Sequence, residues 1–308
     1  MITANTSQGA QSSQSWEYEA ISPGGVVAGV DGSIESIAAL NTAAAIARNR
    51  RCPLHAVTVL QPFPSYQLNP GLDKSRENVN ELRAALRDSE LGQIMHSLEP
   101  AADWTHEAVI GRPARELTFV AERRGAELLI VGRHRHGAID RVLGGETTLQ
   151  IMRMSALPVL AVDSDIETAH TVVAAVDFSP SSIRAAKTAL HLMGSSGTLY
   201  LVFVEPPAEL LPKGFALPEE ARFPGDVVVW FRRLADGLGK HPGILAEPVI
   251  LSGRPVSAIV QFAERVGADL ITTGSHGHGR VERFLLGSVS TGLVRNAGCG
   301  VLVVPPAN

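Results

Sequence analysis

An internal repeat constrains the fold of this 308-residue chain more than any other feature of its sequence. At a constant offset of 142 residues, 111–113 (GRP) aligns with 253–255 (GRP), and Gly132 aligns with Gly274. Nearer the N-terminus, 27–31 (VAGVD) resembles 173–177 (VAAVD) at an offset of 146. A period this long is too large for a solenoid repeat. The sequence therefore predicts two tandem domains, each with its own hydrophobic core.

Short apolar runs alternate with amphipathic segments in both halves of the chain. Predicted strands cover 26–30, 54–60, 104–110, 127–131 and 159–162, then 171–176, 198–204, 246–251, 269–273 and 301–304. Predicted helices cover 33–50, 73–97, 113–124 and 146–153, then 180–193, a segment from about 225, 255–265 and 288–296. This alternation is typical of a parallel sheet covered on both faces. The predicted fold class is α/β, with two tandem doubly wound (Rossmann-like) domains of five parallel strands each.

Domain boundaries follow from composition and from the repeat. Residues 1–22 are rich in Ser and Gln and lack apolar periodicity, which predicts a disordered N-terminal arm. The first domain is expected at 23–163, a polar linker at 164–170 and the second domain at 171–308. Five prolines between 206 and 224 predict a long loop after the second strand of the second domain.

Composition and charge argue against several classes of function. The net charge is −4 and the pI is about 6.2, so neither a nucleic acid nor a membrane is expected as a partner. No apolar run approaches the roughly 18 residues of a membrane span, and the N-terminus lacks the layout of a secretory signal. Cys52 and Cys299 are the only cysteines, which fits a reducing compartment. The expected localisation is cytoplasmic.

The most informative motif follows the predicted fourth strand of the second domain. There, 274–277 (GSHG) is followed after nine residues by Gly287 and Ser288. Glycine allows backbone amides to approach a ligand, and the first turn of a helix attracts anions. Ligands of open doubly wound sheets bind beyond the carboxyl ends of the strands, where Asp177 follows the first strand. A carboxylate that can bind a sugar or a base, together with backbone amides that can bind phosphate oxygens, is typical of a nucleotide site.

At these residues the chain resembles the universal stress protein family. ATP-binding members of that family carry Gly, two residues, Gly, nine residues, and then Gly followed by Ser or Thr, and GSHGHGRVERFLLGS matches every defined position. In addition, 175–179 resembles the family's first strand and Asp-centred turn, and 201–205 resembles its second strand. The resemblance covers two tandem family domains, close to the whole chain after the N-terminal arm.

The resemblance implies ATP, alone or with Mg²⁺, as the ligand of the second domain. Asp177 and Val204 would contact the base and the ribose, and the glycine loop with the following helix start would contact the phosphates. The nucleotide-binding residues implied are Ala175, Asp177, Val204, Gly274, His276, Gly277, Gly287, Ser288, Val289 and Ser290.

The first domain carries a degenerate copy of this site. Its residues are Asp31, Val59, Gly132, Arg135, Gly145 and Glu146. Arg135 and Glu146 replace Gly277 and Ser288, which puts a bulky side chain and a carboxylate where the motif has bare backbone and a phosphate contact. The first domain is therefore expected to bind ATP weakly or not at all, with one site per chain occupied.

Two other interpretations of these residues stay open at this stage. The His-x-His pairs at 134–136 and 276–278 have a spacing that could serve zinc, although no Cys or clustered carboxylate completes a ligand set. Asp31 and Asp177 could instead cap the helices that follow them. Neither a metal site nor a catalytic residue is predicted.

These features favour an ATP-binding regulatory protein of the stress response over an enzyme. The loop lacks the Gly-Lys-Ser/Thr sequence and an obvious metal ligand, so slow ATP hydrolysis at most is expected. The alternatives are a slow ATPase or nucleotidyl-transferring enzyme on a related fold, and a scaffold with a vestigial site. Domains of the family commonly pair through their last strands, here 159–162 and 301–304, which predicts an internal pseudo-dimer. Chains could pair again as a homodimer.

Overall fold

A computed structural model describes residues 24–61, 104–133, 144–205, 224–239, 241–277 and 286–307. The first half contains β1 (Val26–Gly29), α1 (Ile34–Arg50), β2 (Leu54–Leu60), β3 (Thr105–Ile110), α2 (Pro113–Arg123), β4 (Leu128–Gly132), α3 (Gly144–Met154) and β5 (Val159–Val162). The second half contains β6 (Ala169–Ala175), α4 (Pro180–Leu192), β7 (Met193–Glu205), α5 (Pro224–Leu238), β8 (Ile244–Ser252), α6 (Pro255–Val266), β9 (Leu270–Gly274), α7 (Ser288–Asn296) and β10 (Gly300–Val304). The predicted arm, the predicted helix at 73–97 and the predicted loop after β7 lie outside the described residues.

The ten strands form one sheet in the order β3-β2-β1-β4-β5-β10-β9-β6-β7-β8. Within each half the neighbouring strands are parallel. The two halves meet where β5 and β10 pair antiparallel, with Leu160 opposite Leu302. The predicted fold class is confirmed, and the last strands of the two domains join them into one continuous sheet.

Helices cover both faces of the sheet, so each strand contributes side chains to two cores. On one face, α1, α4 and α5 pack over side chains such as Leu54 and Leu199. On the other, α2, α3, α6 and α7 pack over side chains such as Leu129 and Ile271. These four side chains are less than 2% exposed, and burial of each contributes about 1.5–3 kcal/mol to folding. Among the described helices, none combines the length and the apolar character needed to cross a membrane.

Several element boundaries differ from the sequence prediction, and the start of β7 differs most. The helix predicted at 180–193 ends at Leu192, because Met193 adopts an extended backbone (φ −74°, ψ 154°) and pairs with Ala169. As a result, β7 begins at Met193 and not at 198. The helix predicted at 146–153 begins two residues earlier, at Gly144, whereas α7 in the second half begins at Ser288 as predicted.

Arg133, directly after β4, crosses the junction between the halves. Its side chain is buried and donates hydrogen bonds to the carbonyls of Val294, Ala297 and Cys299 at 2.9, 3.2 and 2.8 Å. It also pairs with the carboxylate of Asp163 at 3.1 Å. A guanidinium from the first half therefore satisfies carbonyls at the C-terminal end of α7 in the second half.

Candidate functional site

Two crevices open at the carboxyl edge of the strands, one in each half. The second crevice, in the second half, is a cavity of about 270 Å³ formed by the ends of β6, β7 and β9 and the first turns of α6 and α7. All ten residues predicted for the nucleotide site line it: Ala175, Asp177, Val204, Gly274, His276, Gly277, Gly287, Ser288, Val289 and Ser290. The structure therefore brings together four stretches of sequence, of which the motif had linked only two by spacing.

Asp177 lies directly after β6 in a turn that fixes its carboxylate. The backbone amide and the hydroxyl of Ser179 donate to Asp177 Oδ1 at 3.0 and 2.6 Å. Ser179 in turn is the N-cap of α4, since its hydroxyl accepts a hydrogen bond from the Ser182 amide. The interpretation of Asp177 as a helix cap is therefore wrong: the serine caps the helix, and the aspartate holds the serine.

Phe178 stands in this turn with a left-handed backbone, at a φ of 62°. Such a conformation costs about 1–3 kcal/mol in a residue other than glycine, and the aligned residue of the first half is Gly32, with a φ of 86°. The Phe178 ring is held by Phe203, Trp230 and Phe231, at centroid distances of 5.6, 5.9 and 5.3 Å. Aromatic rings from β7 and α5 thus fix the turn beside the crevice. Sequence reasoning missed this residue, although its alignment with a glycine is a usable signal.

Gly277 lies against the carboxylate of Asp177. A Cβ added at position 277 would stand 2.5 Å from Asp177 Oδ2, far closer than van der Waals contact. The preceding residue is tied to α4, because Ser181 Oγ donates to the His276 carbonyl at 2.5 Å. The loop therefore approaches Asp177 so closely that a side chain at 277 must displace either the carboxylate or the loop.

Gly274 is required by packing between a strand and a helix. A Cβ added there would lie 2.8 Å from the backbone nitrogen of Ser182, at the start of α4. Its counterpart Gly132 has the same relation to α1, because an added Cβ would lie 2.7 Å from the nitrogen of Ser36. The first glycine of each copy of the motif is thus needed for close packing of a strand end against a helix, whether or not a ligand binds.

Substitution of Gly132 by alanine is expected to destabilise the chain by about 1–3 kcal/mol, because the added methyl group meets backbone atoms of α1 that cannot move aside easily. Urea denaturation measures the free energy of unfolding. The matched control is Gly237→Ala in α5, where no described atom lies within 4 Å of an added Cβ, so this change is expected to be neutral or mildly stabilising. Equal stability of the two variants would contradict the packing argument.

The N-terminal end of α7 supplies amides to the second crevice. Its N-cap is Gly287, and the first turn, Ser288 to Thr291, contains no acidic residue. The first intrahelical bond runs from the Thr291 amide to the Gly287 carbonyl at 2.9 Å, so the preceding amides are outside the helical ladder. The Ser290 hydroxyl is already used, since it donates to the Gly274 carbonyl at 2.7 Å. An anion would therefore be bound through backbone amides and the helix dipole, with Ser290 positioning the helix.

The first crevice lies at the same edge of the first half and encloses about 380 Å³. Asp31, Val59 and Gly132 of the predicted degenerate site line it. Ser33, the N-cap of α1, donates its amide and its hydroxyl to Asp31 Oδ1 at 3.0 and 2.6 Å, so the cap interpretation is wrong for Asp31 as well. Gly145 and Glu146 belong to the first turn of α3. Arg135 lies outside the described residues.

The zinc interpretation rests mainly on residues that the structure does not describe. Both His134 and His136 lie outside the described ranges, as does His278, and only His276 is described. The His276 ring nitrogen Nδ1 lies 2.8 Å from the hydroxyl of Ser275. Within the described ranges, no three His, Cys, Asp or Glu side chains are grouped so that they could hold a metal ion. The zinc interpretation therefore stays a hypothesis.

The fold and its two crevices define a class of protein: two fused doubly wound α/β domains, each with a ligand-sized crevice at its carboxyl edge. The sequence profile described as "Universal stress protein family" matches residues 25–163 and 168–305. The chain therefore belongs to the universal stress protein family, as a tandem two-domain member. The resemblance seen in the sequence is confirmed.

Individual relatives agree with this assignment. The chain is similar to a universal stress protein of Mycolicibacterium smegmatis, with 28% identity over 296 residues that cover 92% of this chain and 97% of the relative. It is also similar to one of Mycobacterium tuberculosis, with 28% identity over 296 residues that cover 91% and 96%. A universal stress protein from Archaeoglobus fulgidus has a solved structure that matches with a TM-score of 0.67 at 21% identity, covering 93% of this chain and 97% of the other. The last comparison shows a shared fold.

Proposed function

We propose that the second crevice binds ATP and that the protein is a nucleotide-binding regulatory protein of the stress response. The observation that carries this proposal is the convergence of ten predicted residues, from four stretches of sequence, on one cavity. One side of the cavity carries the fixed carboxylate of Asp177, and another carries the amide end of α7. Carboxylate and amides suit the two chemically different parts of a nucleotide, its hydroxylated sugar and its phosphates.

Each part of ATP has residues that fit it. The Asp177 carboxylate can accept hydrogen bonds from ribose hydroxyls, and β7 at Val204 offers an apolar surface to the base. The amides of Ser288 and Val289 can donate to phosphate oxygens, and the absence of a side chain at Gly277 lets the loop approach without displacing the carboxylate. A Mg²⁺ ion bound with the nucleotide would take most of its ligands from phosphates and water.

A regulatory role is favoured over efficient catalysis by the charges of the lining. Asp177 is the only acidic residue among the described residues that line the second crevice, and none of those residues is a lysine or an arginine. Phosphoryl transfer depends on cations that neutralise charge as it develops on the transferred group. We therefore expect bound ATP to be retained, with turnover slower than about one per minute.

Purified full-length protein is expected to carry one ATP per chain, measured by mass spectrometry and quantification of the nucleotide released on denaturation. A matched pair of variants locates the site. Val204→Trp should lose the nucleotide because the indole fills the second crevice, whereas Val59→Trp fills the corresponding place in the first crevice and should keep it. Two ATP molecules per chain, or equal loss in both variants, would contradict the assignment.

Hydrolysis is tested separately with the same protein. Release of labelled inorganic phosphate from ATP is expected to stay below about one turnover per minute. Sustained turnover above that rate, lost in Val204→Trp, would show that the second crevice belongs to an ATPase and would overturn the regulatory assignment.

A further inference from the structure

The turn that presents Asp177 to the second crevice has a strained backbone at its centre. Phe178 has a φ of 62°, in the left-handed region that residues other than glycine rarely adopt. The first half forms the same turn, because the amide and hydroxyl of Ser33 lie 3.0 and 2.6 Å from Asp31 Oδ1, the same distances as in the second half. There the central residue is Gly32, which adopts such a backbone at little cost. A phenylalanine in this turn needs contacts that hold it in place.

Aromatic rings supply those contacts from two directions. Phe203, on β7, stacks on Phe178 at a centroid distance of 5.6 Å, and Phe203 also lines the second crevice. From α5, Phe231 meets Phe178 edge to face at 5.3 Å, and Trp230 lies at 5.9 Å. Phe178 and Phe231 are 9% and 4% exposed, so their contact is shielded from solvent. The strained residue is thus held between the wall of the crevice and α5.

The helix α5 lies near the second crevice without forming part of its wall. None of the residues described in α5 lines that crevice. The buried face of α5, which includes Val227 and Leu234, packs into the core on the side of the sheet that α4 also covers. The rings of Phe178 and Phe203 connect this helix to the wall of the crevice.

Nucleotide binding and the docking of α5 should therefore stabilise one another. If α5 moves away, Phe178 loses its contacts with Trp230 and Phe231, and the strained turn is no longer held. The carboxylate of Asp177 then leaves the position in which it faces the crevice. Conversely, a ligand that binds this carboxylate favours the strained turn and with it the docked helix, because coupling between two sites is reciprocal.

We propose that α5 regulates the affinity of the second crevice for nucleotide by holding Phe178 in the turn that presents Asp177. The inference rests on the proposed function, from which it takes Asp177 as a contact of the ligand. Phe178 is a positioning residue, since it does not line the cavity and acts through the backbone of the turn. The first half, with Gly32 at this position, reaches the same turn without a ring.

Two substitutions of Phe178 separate the backbone of the turn from the packing of the ring. Phe178→Gly and Phe178→Ala both remove the ring and should lower the thermal unfolding midpoint by similar amounts, but only glycine adopts the left-handed backbone at little cost. Isothermal titration calorimetry of the full-length chains should give an ATP affinity within about threefold of the unmodified protein for Phe178→Gly, and at least about tenfold lower for Phe178→Ala. A purely structural ring predicts equal affinities of the two variants, and that result would overturn the proposal.

Hydrogen exchange measured by mass spectrometry tests the coupling to α5. In the unmodified chain, saturating ATP should slow exchange of the α5 amides at least about fivefold. The Phe178→Gly chain should bind ATP without this protection of α5, because the ring that connects the helix to the turn is gone. Protection of α5 in Phe178→Gly equal to that in the unmodified chain would overturn a coupling through Phe178.

A third variant, Phe231→Ala, separates failure of this inference from failure of the proposed function. In the ligand-free chain it should speed exchange of the turn amides at 177–179 at least about tenfold, because the ring of α5 no longer holds Phe178. Unchanged exchange there would overturn the inference, whether or not ATP binds. If the unmodified chain does not bind ATP, the proposed function fails. If it binds ATP and Phe231→Ala binds it equally well, only the inference fails.

Discussion

Replacement of Gly277 by arginine is expected to abolish ATP binding to the second crevice, with a loss of affinity of at least about a hundredfold. An added Cβ would stand 2.5 Å from Asp177 Oδ2. The carboxylate cannot easily rotate away, because its other oxygen accepts two hydrogen bonds from Ser179, the cap of α4. The substitution must therefore either displace the carboxylate proposed to hold the ribose or push the loop out of the crevice. Isothermal titration calorimetry with ATP measures the effect.

Two controls separate this effect from unfolding. Gly277→Ala adds the same Cβ without the long side chain and should give an intermediate loss of affinity, since the contact with Asp177 arises at Cβ. The thermal unfolding midpoint of the ligand-free arginine variant should stay close to that of the unmodified chain, because the substitution lies in a loop outside both cores. ATP binding within threefold of the unmodified protein would show that the second crevice is not the nucleotide site.

The sequence predicted the doubly wound fold and the position of the crevice for identifiable reasons. Apolar runs of strand length separated by amphipathic helices define a doubly wound sheet, and such sheets place their crevices at the carboxyl ends of the strands. Asp177 and the loop at 274–277 follow two strands that lie side by side, β6 and β9. Their meeting in one cavity follows from topology alone.

Other features of the site depend on contacts that sequence patterns do not report. Gly274 and Gly132 belong to a ligand motif in the sequence, yet both are also needed where a strand end touches the first turn of a helix. Phe178 has the strained backbone expected of glycine, and its conformation depends on rings contributed by β7 and α5. Periodicity describes which face of an element is buried, but it does not identify the side chains that meet there.

Arg133 is the clearest case of a residue whose importance is invisible in the sequence. It stands in the degenerate copy of the loop, at the position of Ser275, where it could be read as one more departure from the motif. The carbonyls that accept its hydrogen bonds belong to Val294, Ala297 and Cys299, which lie 161–166 positions further along the chain. No local pattern links them, because the contact arises only when β5 pairs with β10 and brings α7 beside β4.

Replacement of Arg133 by methionine is expected to lower the free energy of unfolding by about 3–5 kcal/mol, the range for removing one partner of a buried ion pair. The side chain of Arg133 is 3% exposed and that of Asp163 is 11% exposed, so solvent screens their charges little. Methionine can fill much of the space but leaves the carboxylate and three carbonyls without the guanidinium. Urea denaturation followed by both tryptophan fluorescence and circular dichroism measures the change.

An exposed arginine provides the matched control for this second substitution. Arg123 pairs with Glu107 at 2.6 Å on the surface, where the arginine side chain is 49% exposed, and Arg123→Met should cost less than about 1 kcal/mol. A loss below 1 kcal/mol for Arg133→Met would contradict a stabilising role at the junction.

Because Arg133 holds the C-terminal end of α7 and the opposite end of α7 lines the second crevice, its loss should also weaken ATP binding, whereas the Arg123 variant should bind ATP normally. The junction would then serve two purposes, since the first domain would hold in place the helix through which the second domain binds its ligand.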